Sequence, residues 1–151
     1  MSITTRVASR EDIPRLAELF DAYRQFYAQP ANPELARRFI ADRFNNGEST
    51  ILVAETATDG VVGFCQLYPT FCSVAAAPIY SLYDLYVAPT SRQLGIGRRL
   101  LLAAEARARA DGKVRMDLAT AKTNLPAQAL YESAGWVRDE IFHVYNRHLA
   151  D

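Results

Sequence analysis

Leu85-Tyr86-Val87-Ala88-Pro89-Thr90-Ser91-Arg92-Gln93-Leu94-Gly95-Ile96-Gly97-Arg98-Arg99-Leu100-Leu101 reads as a strand, a short loop rich in main-chain donors, and the start of a helix. Tyr86 and Val87 favour an extended chain, and Pro89 ends it. From Arg98 to Ala110 the residues are Leu, Ala, Arg and Glu, all strong helix formers. Gly95 and Gly97 carry no Cβ, so an anionic ligand can come close to the backbone between the two elements. A helix N-terminus offers unpaired N–H groups and partial positive charge, which suits a phosphate. Arg92, Arg98 and Arg99 add full positive charges beside it.

Three phosphate-binding patterns can be compared with this loop. A dinucleotide fingerprint needs a third glycine where Leu100 stands, and needs to lie near the start of a βαβ unit. A Walker loop needs Gly-Lys-Ser/Thr, which is absent. The third pattern, Arg/Gln-x-x-Gly-x-Gly/Ala, is met by Arg92-Gln93-Leu94-Gly95-Ile96-Gly97. With the Leu-x-Val-x-Pro lead-in of Leu85 to Pro89, it resembles the pyrophosphate loop of the GNAT superfamily of acetyl-CoA-dependent N-acetyltransferases. That resemblance implies acetyl-CoA as cosubstrate, held by Leu85, Tyr86, Val87, Arg92, Gln93, Leu94, Gly95, Ile96, Gly97 and Arg98.

Working outward, 151 residues with 50% apolar and 23% charged side chains predict one globular domain spanning 1–151. Zero net charge and a pI near 6.7 argue against a nucleic-acid partner held by bulk electrostatics. No apolar run approaches a membrane span, and the N-terminus lacks a signal-peptide core, so a cytoplasmic location is expected. Cys65 and Cys72 fit neither a disulfide framework nor a zinc site and read as small buried hydrophobes. His143 and His148 lack ligand partners at metal spacing, so no metal is expected.

The remaining elements follow in order. Ile3 to Ala8 predicts a strand. Ser9 to Asp12 reads as a cap for a helix reaching about Tyr27, with Ile13, Leu16, Ala17, Phe20 and Tyr23 on one face. Asn32 and Pro33 begin a second helix ending near Gly47, with Leu35, Phe39, Ile40 and Phe44 buried. Thr50–Glu55 and Val61–Tyr68 form a hairpin about Asp59-Gly60. Ser73–Pro78 is irregular, and Ile79–Val87 is the strand entering the loop. Gly112 ends the third helix, Val114–Leu118 is a parallel strand, and Asn124–Ala134 is a fourth helix stopped by Gly135. Trp136–Arg138 and Ile141–Leu149 read as closing strands. This order matches the GNAT fold: an α/β (α+β) architecture with a mixed, mostly antiparallel twisted sheet, helices on both faces and a splayed parallel strand pair.

Asn124, Ala127, Leu130-Tyr131 and Gly135-Trp136 form a second block, similar to the family's Asn-x-x-Ala-x-x-Leu-Tyr-x-x-x-Gly-Phe/Trp signature. The resemblance makes Asn124 and Ala127 cofactor contacts and Tyr131 the general acid. An amine attacks a thioester carbonyl, and coenzyme A leaves as a thiolate. A phenol near pKa ~10 can protonate a thiolate whose thiol sits near ~8.5. In the family, a main-chain N–H on the splayed strand polarises the thioester oxygen; Leu85 or Tyr86 would supply it here.

The incoming amine must first lose a proton. Asp84 begins the Asp-Leu-Tyr-Val segment of the strand, and polyamine acetyltransferases of the spermidine/spermine type look similar there. They place a glutamate just before that aspartate, whereas this chain has Tyr83. Asp84, Tyr83 and a water chain are therefore all candidates for the base. Tyr23, Phe26, Tyr27, Tyr68, Phe71, Tyr80, Tyr83 and Tyr86 fall in segments that border the acceptor cleft in this fold, and aromatic faces attract cations. Tyr23, Tyr27, Tyr68 and Asp84 are the expected acceptor-binding residues. The wording of the second block is nearest the polyamine and histone-acetyltransferase-like bacterial branch. The expected activity is acetylation of a small primary amine, polyamine-like or amino-acid-like, in a ternary complex. The alternatives are a peptide or protein amine, or acyl-CoA binding without turnover. The family often forms homodimers through strands near the C-terminus, and Ile141–Leu149 is apolar enough for that.

Overall fold

Ile51-Leu52-Val53-Ala54 is an unbroken apolar run with every residue buried, a pattern that needs a sheet covered on both faces. A computed structural model describes residues 2–150 and provides that sheet. Its strands are β1 (Ile3–Val7), β2 (Thr50–Thr56), β3 (Gly60–Cys72), β4 (Ala77–Val87) and β5 (Met116–Asp117), in spatial order β1-β2-β3-β4-β5. The first four pair antiparallel, and β4 and β5 are parallel. The helices are α1 (Ile13–Phe26), α2 (Pro33–Asn45), α3 (Ile96–Ala110) and α4 (Leu125–Ser133). The chain forms two compact units, Met1–Ala119 and Thr120–Asp151.

In the first unit, α1 and α2 cover one face. Leu16, Leu19, Phe20, Ala36 and Ile40 pack with Ile51, Val53, Phe64 and Tyr86. Each fully buried Leu, Ile or Phe side chain stabilises by roughly 1.5–3 kcal/mol. Phe20 anchors this layer, stacked on Phe39 at 5.2 Å and edge-on to Phe64 at 6.5 Å. α3 covers the other face with Ile96, Leu100, Leu101, Ala104 and Ala108. Gly63 sets its approach: a Cβ there would lie 3.1 Å from the Tyr86 carbonyl and 3.3 Å from a Leu100 methyl.

The local signals act as their chemistry requires. The Ser9 N–H donates to the Asp12 carboxylate at 2.7 Å, and the Arg6 guanidinium grips both its oxygens at 2.7 and 3.0 Å. Asn32 accepts the Leu35 N–H to cap α2. Ala36 and Ile40 are the buried positions of α2, whereas of the residues expected in the core Phe39 and Phe44 are half-buried and Leu35 is exposed. After Gly112 in the left-handed region, the Lys113 N–H returns to the Ala108 carbonyl and closes α3.

Three strand expectations change. β3 and β4 run longer than the alternation suggested, so irregular backbone shrinks to Ser73–Ala76. β5 is confined to Met116–Asp117, although the Val114 N–H still reaches the Pro78 carbonyl at 3.0 Å. Trp136–Arg138 and Ile141–Leu149 form no ladder among the described residues. The Ile141 and Phe142 N–H groups go to the Asp139 side chain instead, and Val137, Ile141, Phe142, Val144, Tyr145 and Leu149 are exposed. A strand-like sequence does not make a strand without a partner backbone.

The cysteines diverge. Cys65 is fully buried, and burial pushes its thiol up to about 12. Cys72 is only half-buried, and its thiol is held below the ordinary value by the Ala75 main chain and by Arg115. His143 and His148 are exposed. Among the described residues no helix is long and apolar enough to cross a membrane.

Candidate active site

The loop between β4 and α3 is built to point main-chain N–H groups outward. Pro89 cannot continue the strand, and a single 3-10 turn over Pro89–Ser91 follows. Gln93 and Gly95 then both adopt left-handed backbone, with φ of 66° and 76°. Nothing lies within 4 Å of where a Gly95 Cβ would sit. The backbone angle therefore calls for glycine there, and the space in front of the loop is open. Gly95 caps α3, and the Arg99 N–H is bonded to its carbonyl at 3.1 Å. The N–H groups of Ile96, Gly97 and Arg98 have no carbonyl one turn back within the helix. Together with the dipole of a 15-residue helix they could hold an anion.

The arginines divide their work. Arg98 is exposed in the first turn of α3. Arg92 donates Nε–H to the Val87 carbonyl at 3.0 Å and lies over the Tyr86 ring, 5.3 Å from its centroid. Arg99 reaches away to the Ile3 carbonyl at 2.9 Å and ties α3 to β1.

One edge of β4 becomes an open main-chain surface. Its parallel ladder with β5 comprises Tyr80↔Met116 and Ser81↔Asp117, and from Leu82 onward β4 has no strand partner on that side among the described residues. A bulge also shifts the β3–β4 register: Gln66 faces Asp84, Leu67 faces Leu82, and Tyr83 is the extra residue. Before the bulge, Tyr80 N–H points to β5 and bonds the Arg115 carbonyl at 3.2 Å. After it the alternation is inverted. The Ala88 N–H bonds the Val62 carbonyl on β3 at 2.8 Å, so Leu85 and Val87 turn their main-chain groups to the open edge. Tyr86 turns its main chain to β3 and its ring into the core, 6.0 Å from Tyr23. Of the two candidates for polarising the thioester oxygen, Leu85 is the one whose N–H faces that edge.

At the bulge, Asp84 is 5% exposed. Burial raises its carboxyl above the usual aspartate value, while hydrogen bonds from Gln66 and Tyr23 pull it back. The Gln66 amide donates to Asp84 Oδ2 at 2.8 Å. Gln66 is itself fully buried, and its Oε1 accepts the Ser49 hydroxyl at 2.7 Å. A buried amide without partners would cost about 1–3 kcal/mol. The Tyr23 hydroxyl donates to the Tyr83 carbonyl at 3.3 Å, joining α1 to the bulge. The Tyr83 ring is 68% exposed and lies edge-on to Tyr68 at 5.4 Å. Burial, and the nearby Asp84, push the Tyr68 phenol up to about 12. Tyr27 stands edge-on to Tyr23 at 5.2 Å and is exposed.

Tyr23, Tyr27, Tyr68, Tyr83 and Asp84 are thus linked through packed rings and hydrogen bonds. Tyr80 and Phe71 are not part of this group. Tyr80 bonds Asp111 at 2.6 Å near the other end of β4, and Phe71 is exposed near the β3–β4 turn. Gln66 and Ser49 were not singled out from the sequence. The available signal was a lone polar residue within the apolar run Val61 to Leu67.

In the second unit, Asn124 caps α4 by accepting the Ala127 N–H at 3.3 Å, which leaves its amide NH2 for other partners. Gln128 donates to the Ala121 and Lys122 carbonyls, each at 3.0 Å, and fastens the loop before the helix. The Tyr131 ring is half-buried and lies 6.3 Å from Trp136. No cluster of metal-ligating side chains occurs among the described residues.

A left-handed glycine loop opening a helix beside an unpaired strand edge fits a ligand with a diphosphate and an amide-bearing arm. Residues 16–136 match the Acetyltransferase (GNAT) family. The chain belongs to that family. It is 42% identical over 140 residues to the uncharacterized N-acetyltransferase YhfO of Bacillus subtilis strain 168, covering 93% of each. A crystal structure of a probable acetyltransferase is 37% identical, with a TM-score of 0.90 over 100% of this chain and 99% of that one. The fold is also that of a ribosomal-protein-alanine N-acetyltransferase from Brucella melitensis biovar Abortus 2308, at 17% identity and TM-score 0.81, covering 97% and 99%. The five-stranded mixed sheet with four helices is the GNAT fold, and acetyl transfer is the activity of the family.

Proposed function

We propose that this protein transfers an acetyl group from acetyl-CoA to the primary amine of a small, cationic acceptor in a ternary complex. The observation that carries the reading is Asp84, a buried carboxylate on the bulge, bordered by Tyr23, Tyr68 and Tyr83 and next in sequence to the open main-chain edge. A carboxylate among aromatic faces suits an ammonium ion, and burial favours transfer of its proton to the carboxylate.

In this reading the N–H groups of Ile96, Gly97 and Arg98 hold the diphosphate, and Leu85 and Val87 pair with the pantetheine arm. Acetyl-CoA supplies an activated thioester. Asp84 accepts the proton lost by the amine, while the Leu85 N–H donates to the thioester oxygen. By its match to the family signature, Tyr131 would give its phenolic proton to the leaving sulfur as the C–S bond breaks and the C–N bond forms. Asn124 uses its free amide hydrogens on the cofactor arm. With the Tyr83 ring exposed, and Asp84 buried and oriented by Gln66, Asp84 is the base in this reading.

The reading includes a cytoplasmic setting, where the free thiols of Cys65 and Cys72 stay reduced, and a second copy of this chain as partner. The exposed apolar side chains from Val137 to Leu149 support that partner. The test is a thiol-release screen with acetyl-CoA and a panel of small amines, amino acids and lysyl peptides. Amine-dependent release with small cationic amines is expected. Turnover of peptides alone would move the acceptor class, and tight acetyl-CoA binding with no release for any amine would make this a binding protein.

A further inference from the structure

Gln66 occupies the middle of the central strand β3 and has no exposed surface. Its two ends meet different elements. Nε2 donates to Asp84 on β4 at 2.8 Å, and Oε1 accepts from Ser49 at 2.7 Å, in the connection between α2 and β2. An amide can take either orientation about its last bond. An ionised carboxylate only accepts, so it selects the NH2 end; the serine hydroxyl, which can donate or accept, then donates to the carbonyl oxygen and anchors the amide in that orientation. Ser49 is held in turn. The Glu48 N–H returns to the Arg43 carbonyl at 3.0 Å, and the Glu48 carboxylate accepts from Arg43 Nε at 3.1 Å and from Asn46 at 3.3 Å.

We propose that Ser49 and Gln66 are positioning residues for Asp84: Ser49 fixes the Gln66 amide, and Gln66 fixes one carboxylate oxygen, so that the remaining lone pairs face the acceptor. The relay rests on the reading of Asp84 as base for its purpose, though not for its geometry. It assigns a role to the α2–β2 connection, which contributes no side chain directly to Asp84. It also explains why a glutamine interrupts an apolar strand.

The groups that act on Asp84 come from two elements, α1 and β3. Tyr23 of α1 bonds the carboxylate, Gln66 of β3 bonds it, and burial opposes both. Cys65 and Tyr68 of β3 lie within its electrostatic reach, and Arg43, Glu48 and Tyr83 act on Tyr68. Gln66 therefore stabilises the charged form, and its loss raises the pH at which Asp84 ionises.

The test is a carbon-13 carboxyl NMR titration of the full-length protein labelled at aspartate, with the Asp84 signal assigned by its absence in Asp84→Asn. Gln66→Met should raise the apparent Asp84 pKa by about one unit or more. Ser49→Ala should raise it by less, and Ser49→Thr, which keeps the hydroxyl, should restore the wild-type value. If Gln66→Met does not fold, the Ser49 pair decides alone, because that position lies at the edge of the core. An unchanged Asp84 titration in Ser49→Ala and in any folded Gln66→Met overturns the relay. Because the titration needs no turnover, it is independent of whether Asp84 is the base. That reading fails separately, if Asp84→Asn keeps wild-type turnover in the amine screen.

Discussion

The glycine loop and the Asp84 cluster are built on opposite principles. The loop presents main-chain N–H groups from consecutive residues, and its shape is held by two backbone angles, at Gln93 and Gly95. The cluster joins side chains from α1, β3, β4 and the α2–β2 connection, which are tens of residues apart in sequence. A main-chain site tolerates many side chains and few backbone changes; a side-chain site is the reverse. The loop should therefore fail through glycine substitutions, and the cluster through removal of single polar atoms.

Gly97→Glu should break the loop side most severely. A carboxylate in the first turn of α3 competes with the diphosphate, and acetyl-CoA affinity measured by calorimetry should fall by more than about 100-fold with the circular dichroism spectrum unchanged. Undiminished binding would remove the diphosphate from this loop. In the Asp84 cluster, Asp84→Asn should lower kcat/KM for the best amine of the screen about 100-fold while leaving acetyl-CoA affinity intact, the range of a lost general base. Since burial raises the Asp84 carboxyl, wild-type kcat/KM should decline on the acidic side at a pH above the ordinary aspartate value of ~3.9. A decline governed only by the amine would point to a water chain.

Tyr131→Phe sharpens the comparison, because it should lower kcat at least tenfold with little change in acetyl-CoA affinity. Equal loss of both would make the phenol a binding or packing group. The smallest effect concerns neither site. Asp12→Asn should lower stability by roughly 1–3 kcal/mol in denaturant titration, because Asp12 joins Arg6 to the Ser9 cap. The Arg6 bonds hold the Asp12 carboxyl below the ordinary aspartate value, so this contribution is fully present above that value. It is lost as the pH falls through the lower, folded-state value.

The same contrast explains what could be read in advance. Proline, paired glycines and a run of helix formers are neighbours in sequence, so the strand–loop–helix around Gly95 was legible residue by residue. So was the Asn32 cap, whose partner lies three residues away; the capping role of Asn124 was not read in advance. Gln66 and Ser49 were not, because their meaning lies in partners brought together only by the β2–β3–β4 ladders. The bulge at Tyr83 was equally hidden: strict alternation would have turned Leu85 and Val87 toward β3. The tail from Val137 to Leu149 shows the limit from the other side. Its alternating apolar residues predict strands, yet a ladder needs a second backbone that the sequence pattern does not supply.

The central claim is that main-chain N–H groups at the start of α3 and along the open edge of β4 hold coenzyme A. Nitrogen-15 amide spectra recorded during titration with coenzyme A test it most directly. The account predicts saturable shifts, largest at Gly95, Ile96, Gly97 and Arg98, then at Leu85 and Val87. Saturable shifts elsewhere with these six amides unmoved would contradict it.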